Sequence, residues 1–212
     1  MTATHSSAII LDGVTTGYVE GSPVLRDLSL RIPQTGLIRL HGPNGSGKST
    51  VVEIASGYLR PWQGRVMVLD DDATSRHSRS RRRVVRTKPA LFEYMTVHDH
   101  LAVFAKATGD SLARVLERAT ALGLDPWLSE NAGGLSSGTG KKLWYLMCTT
   151  GDADLYLLDE PFNAIDDGGV EAIVDELTEW AAAGRCVVVI CHTLPTRLRF
   201  DQVIGLGTHG VS

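Results

Sequence analysis

The sequence predicts an α/β fold, a core with a mixed sheet into which a helical subdomain is inserted, all in one domain over residues 9–212. Three observations carry this. The runs at 155–158 and 187–191 are apolar throughout, as suits central strands buried on both faces. A glycine-rich turn at 42–49 follows an apolar run at 37–40 and leads straight into a helical pattern at 48–56. Between about 93 and 150 only helical periodicity appears, so strand–helix alternation brackets a helical middle. The core is therefore expected over about 9–92 and 151–206, with the helical subdomain over about 93–150.

In chain order, 24–32 alternates in part and reads as a half-buried strand, followed by strands at 37–40 and 66–69. A helix over 96–107 opens with Thr96-x-x-Asp99, the spacing of a capping box. Leu112, Val115, Leu116, Ala119 and Leu122 keep a helical period behind Asp110, and Val170, Ile173, Val174, Leu177 and Ala181 do the same. Arg76, Arg79, Arg81, Arg82 and Arg83 form a basic stretch just after Asp70-Asp71-Asp72. It reads as a solvated loop and helix face, compensated by the neighbouring acids, rather than as a contact for phosphates.

Lys and Arg number 21 against 24 Asp and Glu, a net charge of −3, with 43% hydrophobic and 21% charged residues. A disordered chain is more charged and less apolar, and a near-neutral balance argues against general nucleic-acid binding. The longest apolar runs fall far short of the roughly 20 residues a membrane span needs. Residues 1–12 have neither a charged start nor a long apolar stretch, so no signal peptide is expected. Cys148, Cys186 and Cys191 are odd in number and lack metal-ligand spacing, which suits buried reduced thiols of a cytosolic protein.

The chemistry centres on Gly42-Pro43-Asn44-Gly45-Ser46-Gly47-Lys48-Ser49, a full match to G-x-x-x-x-G-K-[ST], with Thr50 next. The glycines let the backbone curl so that successive N–H groups point at phosphate oxygens, and the following helix offers its positive end. Lys48 is expected on the β- and γ-phosphates and the Ser49 hydroxyl on Mg²⁺. Such a loop needs a second acidic site. Leu155-Tyr156-Leu157-Leu158-Asp159-Glu160 supplies it, with Asp159 emerging at the carboxyl end of a buried strand, where ligands bind in open α/β sheets. Asp159 is expected to hold Mg²⁺ and Glu160 to polarise an attacking water.

From about Ile9 to Leu206 these residues resemble the nucleotide-binding domain of ATP-binding cassette (ABC) transporters, a P-loop NTPase core with a helical insert. Leu135-Ser136-Ser137-Gly138-Thr139 is similar to the family signature L-S-G-G-Q, and Asp159-Glu160-Pro161 to its acidic motif. Asn163-Ala164-Ile165-Asp166 resembles the D-loop, His192 the switch histidine, and Tyr18, 24 residues before Gly42, the aromatic residue that stacks on adenine. The resemblance implies two such domains clamped head to tail around two ATP molecules. Ser136 and Gly138 would then touch the γ-phosphate held by the partner's copy of the Lys48 loop. Glu160 would act as general base, and His192 would bridge to the γ-phosphate. It also implies a separate transmembrane permease subunit, a homodimer or heterodimer of nucleotide-binding domains, and a cytoplasmic chain peripheral on the inner face of the cell membrane. Phe92, Tyr94 and Met95 are either a floor for the permease's docking helix or simply core. The short segment after His192 resembles export-type subunits.

Three positions depart from the family pattern. Thr87 stands where a glutamine usually senses Mg²⁺, Ser137 replaces the first signature glycine, and Thr139 replaces the signature glutamine. The expected activity is ATP hydrolysis, slow or dependent on a partner. The alternative is a soluble ABC-type ATPase in assembly or regulation. A chromosome-maintenance ATPase would carry a long coiled coil between Lys48 and Asp159, and a P-loop kinase would leave Leu135 to Thr139 and His192 unexplained.

Overall fold

The computed structural model describes residues 7–207 and the backbone of Gly210–Val211. In chain order the elements are β1 (Ser7–Thr16), β2 (Leu25–Pro33), β3 (Gly36–His41), α1 (Lys48–Ala55), β4 (Gln63–Val68), β5 (Asp71–Asp72), α2 (Arg76–Ser80) and β6 (Arg82–Val85). Three helices follow, α3 (Val97–Thr108), α4 (Leu112–Ala121) and α5 (Ser137–Thr149), then β7 (Leu155–Asp159), α6 (Asp167–Ala182), β8 (Cys186–Ile190), β9 (Gln202–Gly207) and β10 (Gly210–Val211).

The strands form two sheets. One is antiparallel, in the order β2-β1-β4-β5. β2 shows why: Leu28, Leu30 and Ile32 point inward while Ser29 and Arg31 face water, the period of two that a one-sided sheet demands. The other runs β10-β9-β3-β8-β7-β6, parallel from β9 to β6, with β10 antiparallel on its edge. Every residue of β7 and β8 is buried, as the unbroken apolar runs predict.

This second sheet divides the core in two. Ile38, Leu40, Leu155, Leu157, Val188 and Ile190 face α1 and the antiparallel sheet. Leu37, Tyr156, Leu158, Val187 and Val189 face one apolar cluster built with α3, α4, α5 and α6. Leu101, Leu143 and Leu146 are fully buried in it, and each such side chain contributes about 1.5–3 kcal/mol. The inserted helices thus share their core with α6 and the sheet. Their ends follow local rules. The Thr96 hydroxyl accepts the Asp99 N–H, and Gly109 closes α3 in the left-handed conformation. Helix α4 starts behind Ser111; Asp110 instead accepts from Ser111 N–H and Arg114.

The basic stretch divides: Arg76 and Arg79 are exposed on α2, as expected of a solvated helix face, whereas Arg81, Arg82 and Arg83 are drawn into the sheet edge. Arg82 and Arg83 begin strand β6, and Arg82 is only 5% exposed. Arg82 donates to the carbonyls of Ser56 and Ala73, both at 2.6 Å, and to the Ser78 hydroxyl at 3.1 Å. Burial, with Arg79 nearby, pulls its pKa down to about 10. Arg81 pairs with Asp154 at 2.6 Å, and Arg83 caps the carbonyls of Thr150 and Asp152. Arg81, Arg82 and Arg83 thus hold the edge of the sheet together instead of forming a solvated face.

Candidate functional site

Strand β3 delivers the chain to the 42–49 loop. A Cβ on Gly42 would lie 2.4 Å from the Leu206 carbonyl oxygen and 2.7 Å from Ser46 Oγ, so no other residue fits there. Gly47 turns the backbone into α1 at φ 90°, a conformation that favours glycine. Lys48 is 9% exposed, and its ammonium donates to the Gly42 and Pro43 carbonyls, both at 2.8 Å. It is folded back across the mouth of its own loop. Pro43, Asn44 and Gly45 form the exposed tip. The Ser46 hydroxyl is buried without a partner among the described residues, and Ser49 is exposed.

Tyr18 lies in the turn beyond β1 rather than in a strand. It is 60% exposed, and its hydroxyl comes within 3.5 Å of Thr50 Oγ1 in the first turn of α1. A flat, open ring is thus brought beside the phosphate loop, at a place where a base can stack.

The acidic motif sits where β7 ends. Asp159 is 6% exposed, opposite Ile190 in the β7–β8 ladder, with no side-chain hydrogen bond among the described residues. Glu160 leaves the strand at φ 55°, its N–H held by the Ile190 carbonyl at 2.8 Å. A left-handed backbone is unusual and costly for a residue with a Cβ. The turn aims the carboxylate at His192, whose N–H donates to Oε2 at 3.4 Å. His192 Nε2 lies 3.4 Å from Glu160 Oε1. That is ion-pair range without hydrogen-bond alignment, so Oε1 stays buried and unpaired. Such an oxygen is an acceptor waiting for a water proton.

The donor set fits a magnesium nucleotide. Ser46 Oγ and the loop amides suit phosphate, and Ser49 and Asp159 offer the hard oxygens Mg²⁺ takes. No group of three or more His, Cys, Asp or Glu among the described residues could cage a metal alone.

The signature segment opens α5. Ser136 is the N-cap; its hydroxyl accepts the Thr139 N–H at 3.1 Å and lies 2.8 Å from Thr139 Oγ1. Thr139, in the place of the family glutamine, thus closes a cap on the serine. Gly138 packs so tightly that a Cβ would sit 2.5 Å from the Ala164 carbonyl oxygen. One turn on, Lys142 is buried and its ammonium bonds the Asp166 carboxylate. Asp166 in turn caps α6 through Gly169 N–H at 2.8 Å. Lys142 and the Gly169 N–H hold the Asp166 carboxyl below the usual carboxylate range. Sequence reasoning missed Lys142 as a site residue, because its partner lies 24 residues on and no local pattern joins them.

Thr87 is exposed. Phe92 and Tyr94 are 62% and 92% exposed, so they form surface, not core.

A phosphate loop with its lysine preset, an acidic strand end and a capped signature helix define a P-loop ATPase. Residues 25–163 match the family model described as ABC transporter. The chain is 30% identical over 210 residues to a putative ABC transporter ATP-binding protein of Pyrococcus furiosus, covering 95% of this chain and 80% of the relative. It is 28% identical to the manganese transport system ATP-binding protein MntB of Bacillus subtilis, covering 88% and 77%. A solved ATP-binding subunit of an ABC transporter superposes with a TM-score of 0.84 at 25% identity, covering 97% of this chain and 88% of that one. The chain belongs to the ABC transporter family and is its ATP-binding, ATP-hydrolysing domain. No helix among the described residues is long and apolar enough to cross a membrane, and in this family the membrane path belongs to permease components.

Proposed function

We propose that the chain powers transport by binding MgATP at the 42–50 loop, pairing with a second nucleotide-binding domain across it, and hydrolysing it with Glu160. The observation that carries this is the buried, unpaired Oε1 of Glu160, aimed beside His192 at the end of β7. Lys48 releases the carbonyls of Gly42 and Pro43 to take the β- and γ-phosphate oxygens, while Tyr18 stacks on the base. Ser49 and Asp159 would hold Mg²⁺, which would supply charge neutralisation on the phosphates. Glu160 accepts a proton from the attacking water, and His192 steadies the γ-phosphate. Ser136 and the N-terminal end of α5 meet the phosphate bound to the partner domain, where an anion is favoured.

A permease subunit completes the machine on the inner face of the membrane. The exposed Phe92 and Tyr94 favour the docking reading for that segment. The manganese system among the relatives makes a metal ion the first cargo to test, and we place uptake ahead of the export expected from the segment after His192. Glu160→Gln tests the reaction. It should cut hydrolysis by about 10²-fold or more and leave ATP binding intact; unchanged turnover would remove Glu160 from the chemistry. Co-purification of a permease from membranes tests transport. Recovery of the chain with no membrane subunit would favour the soluble assembly role.

A further inference from the structure

Arg86 stands just before Thr87, the position where the sensing glutamine is missing, and its interactions reach both α1 and α5. Its guanidinium forks onto Glu53 of α1, Nε to Oε1 at 2.8 Å and Nη2 to Oε2 at 3.0 Å. Nη2 also reaches the Ser56 hydroxyl at 3.2 Å. The guanidinium carbon lies 5.0 Å from the centre of the Tyr58 ring, a cation–π arrangement on a ring that is itself 76% exposed. From the other side, the indole Nε1 of Trp144 in α5 donates to the Arg86 carbonyl at 2.9 Å. The side chain is therefore fixed to the helix that follows the phosphate loop, and the backbone to the helix that carries Ser136.

A planar, bidentate fork on a carboxylate that is only 17% exposed fixes distance and orientation together, which a flexible pair does not. Thr87 and the chain beyond it, up to the exposed Phe92 and Tyr94, start from this anchored point. We infer that Arg86 is a positioning residue. It latches α1 to α5, so that movement of α5 and of the 87–95 segment reaches the phosphate loop without the missing glutamine. It touches no nucleotide. The inference deepens the ATPase reading above and rests on it for its kinetic test alone.

The test compares the full-length wild type with Arg86→Ala, Arg86→Lys, Glu53→Gln and the double Glu53→Ala/Arg86→Ala variant. Turnover, affinity for a non-hydrolysable ATP analogue, and melting are measured together. Arg86→Ala should lose at least tenfold in turnover while analogue affinity stays within twofold. Arg86→Lys should resemble it, because one ammonium cannot form the fork. The double variant should be no slower than Arg86→Ala. Wild-type turnover in Arg86→Ala, or affinity falling in step with turnover, would overturn the latch. A second readout needs no turnover. Analogue binding should slow amide exchange over 87–95 in the wild type and not in Arg86→Ala or Glu53→Gln. An equal response in the variants refutes the latch even if the wild type hydrolyses no ATP, whereas absent wild-type hydrolysis with a latch-dependent response refutes only the ATPase reading.

Discussion

Gly138→Ala sets two effects against each other. By local propensity, alanine should stabilise the first turn of α5 by about 0.5–1 kcal/mol. The added Cβ, however, would lie 2.5 Å from the carbonyl oxygen of Ala164, when ordinary contact begins near 3.4 Å. Neither neighbour is a flexible side chain. One is backbone at the start of a helix, the other backbone in a turn where Ala164 already sits at φ 61°. Close to an ångström must come from a shift of α5 against the 163–166 turn, and overpacking of that kind costs about 1–3 kcal/mol. Set against each other, the two leave a net loss of about 0–2.5 kcal/mol, centred near 1 kcal/mol, which is roughly 2–4 °C in melting temperature for a domain of this length. Function should suffer more, since a misplacement near 1 Å can cost about 10²-fold in rate. The assay is steady-state hydrolysis alongside thermal melting, with Gly140→Ala as control. There the new Cβ would meet only Leu91 Cδ1 at 3.5 Å, so that variant should be neutral or slightly more stable. A Gly138→Ala protein with wild-type turnover and melting would refute the argument that this contact sets the signature against the catalytic loop.

Lys142→Met should raise the Asp166 pKa toward the ordinary carboxylate value, read by carboxyl titration in NMR. Asp166 is held below its unfolded value, so the stability it contributes is present above about pH 4 and lost as pH falls through the folded pKa; the variant's stability should fall less on acidification between pH 7 and pH 3. Tyr145→Phe removes the buried hydroxyl that donates to Glu176 at 2.7 Å, beside the Arg118–Glu176 pair, and urea denaturation should show a loss of about 1–2 kcal/mol. Burial pushes the thiols of Cys148 and Cys186 up to about 12 and that of Cys191 up to about 11. At pH 8 a thiol reagent should therefore modify the buried Cys186 and Cys191 slowly in the native protein and all three thiols after denaturation, with the half-buried Cys148 reacting first; fast native labelling of Cys186 or Cys191 would contradict their burial.

The parts of the fold legible in the sequence are those governed by near neighbours. The all-apolar β7 and β8, the Thr96 cap and the 42–49 loop each state their structure within a few residues. What escaped depends on distant partners. β6 opens on Arg82 and Arg83, a signature of exposed loop, and becomes a strand because carbonyls of Ser56 and Ala73 neutralise the cost of burying Arg82. β9 carries Gly205 and Gly207, which weaken its strand signal, yet it lies against β3 in parallel register. β1 is not legible in the sequence although Ala8, Ile9, Leu11 and Val14 are buried, because Gly13 and the register shifts around it break the alternation. In the site, residue identities were legible from motif spacing. The Lys142–Asp166 bond and the Glu53–Arg86 fork were not, since each joins residues 24 or more apart.

The left-handed turn at Glu160 has a consequence for selection. Glycine would relieve a backbone cost of about 1–2 kcal/mol at that position, and asparagine would relieve part of it. Both would remove the carboxylate beside His192. A library ranked only by heat resistance should therefore enrich substitutions at residue 160, and its most robust members should bind ATP and fail to hydrolyse it. Ranking by turnover should bring the glutamate back, together with the lower melting temperature. Stability and hydrolysis pull this one backbone angle in opposite directions.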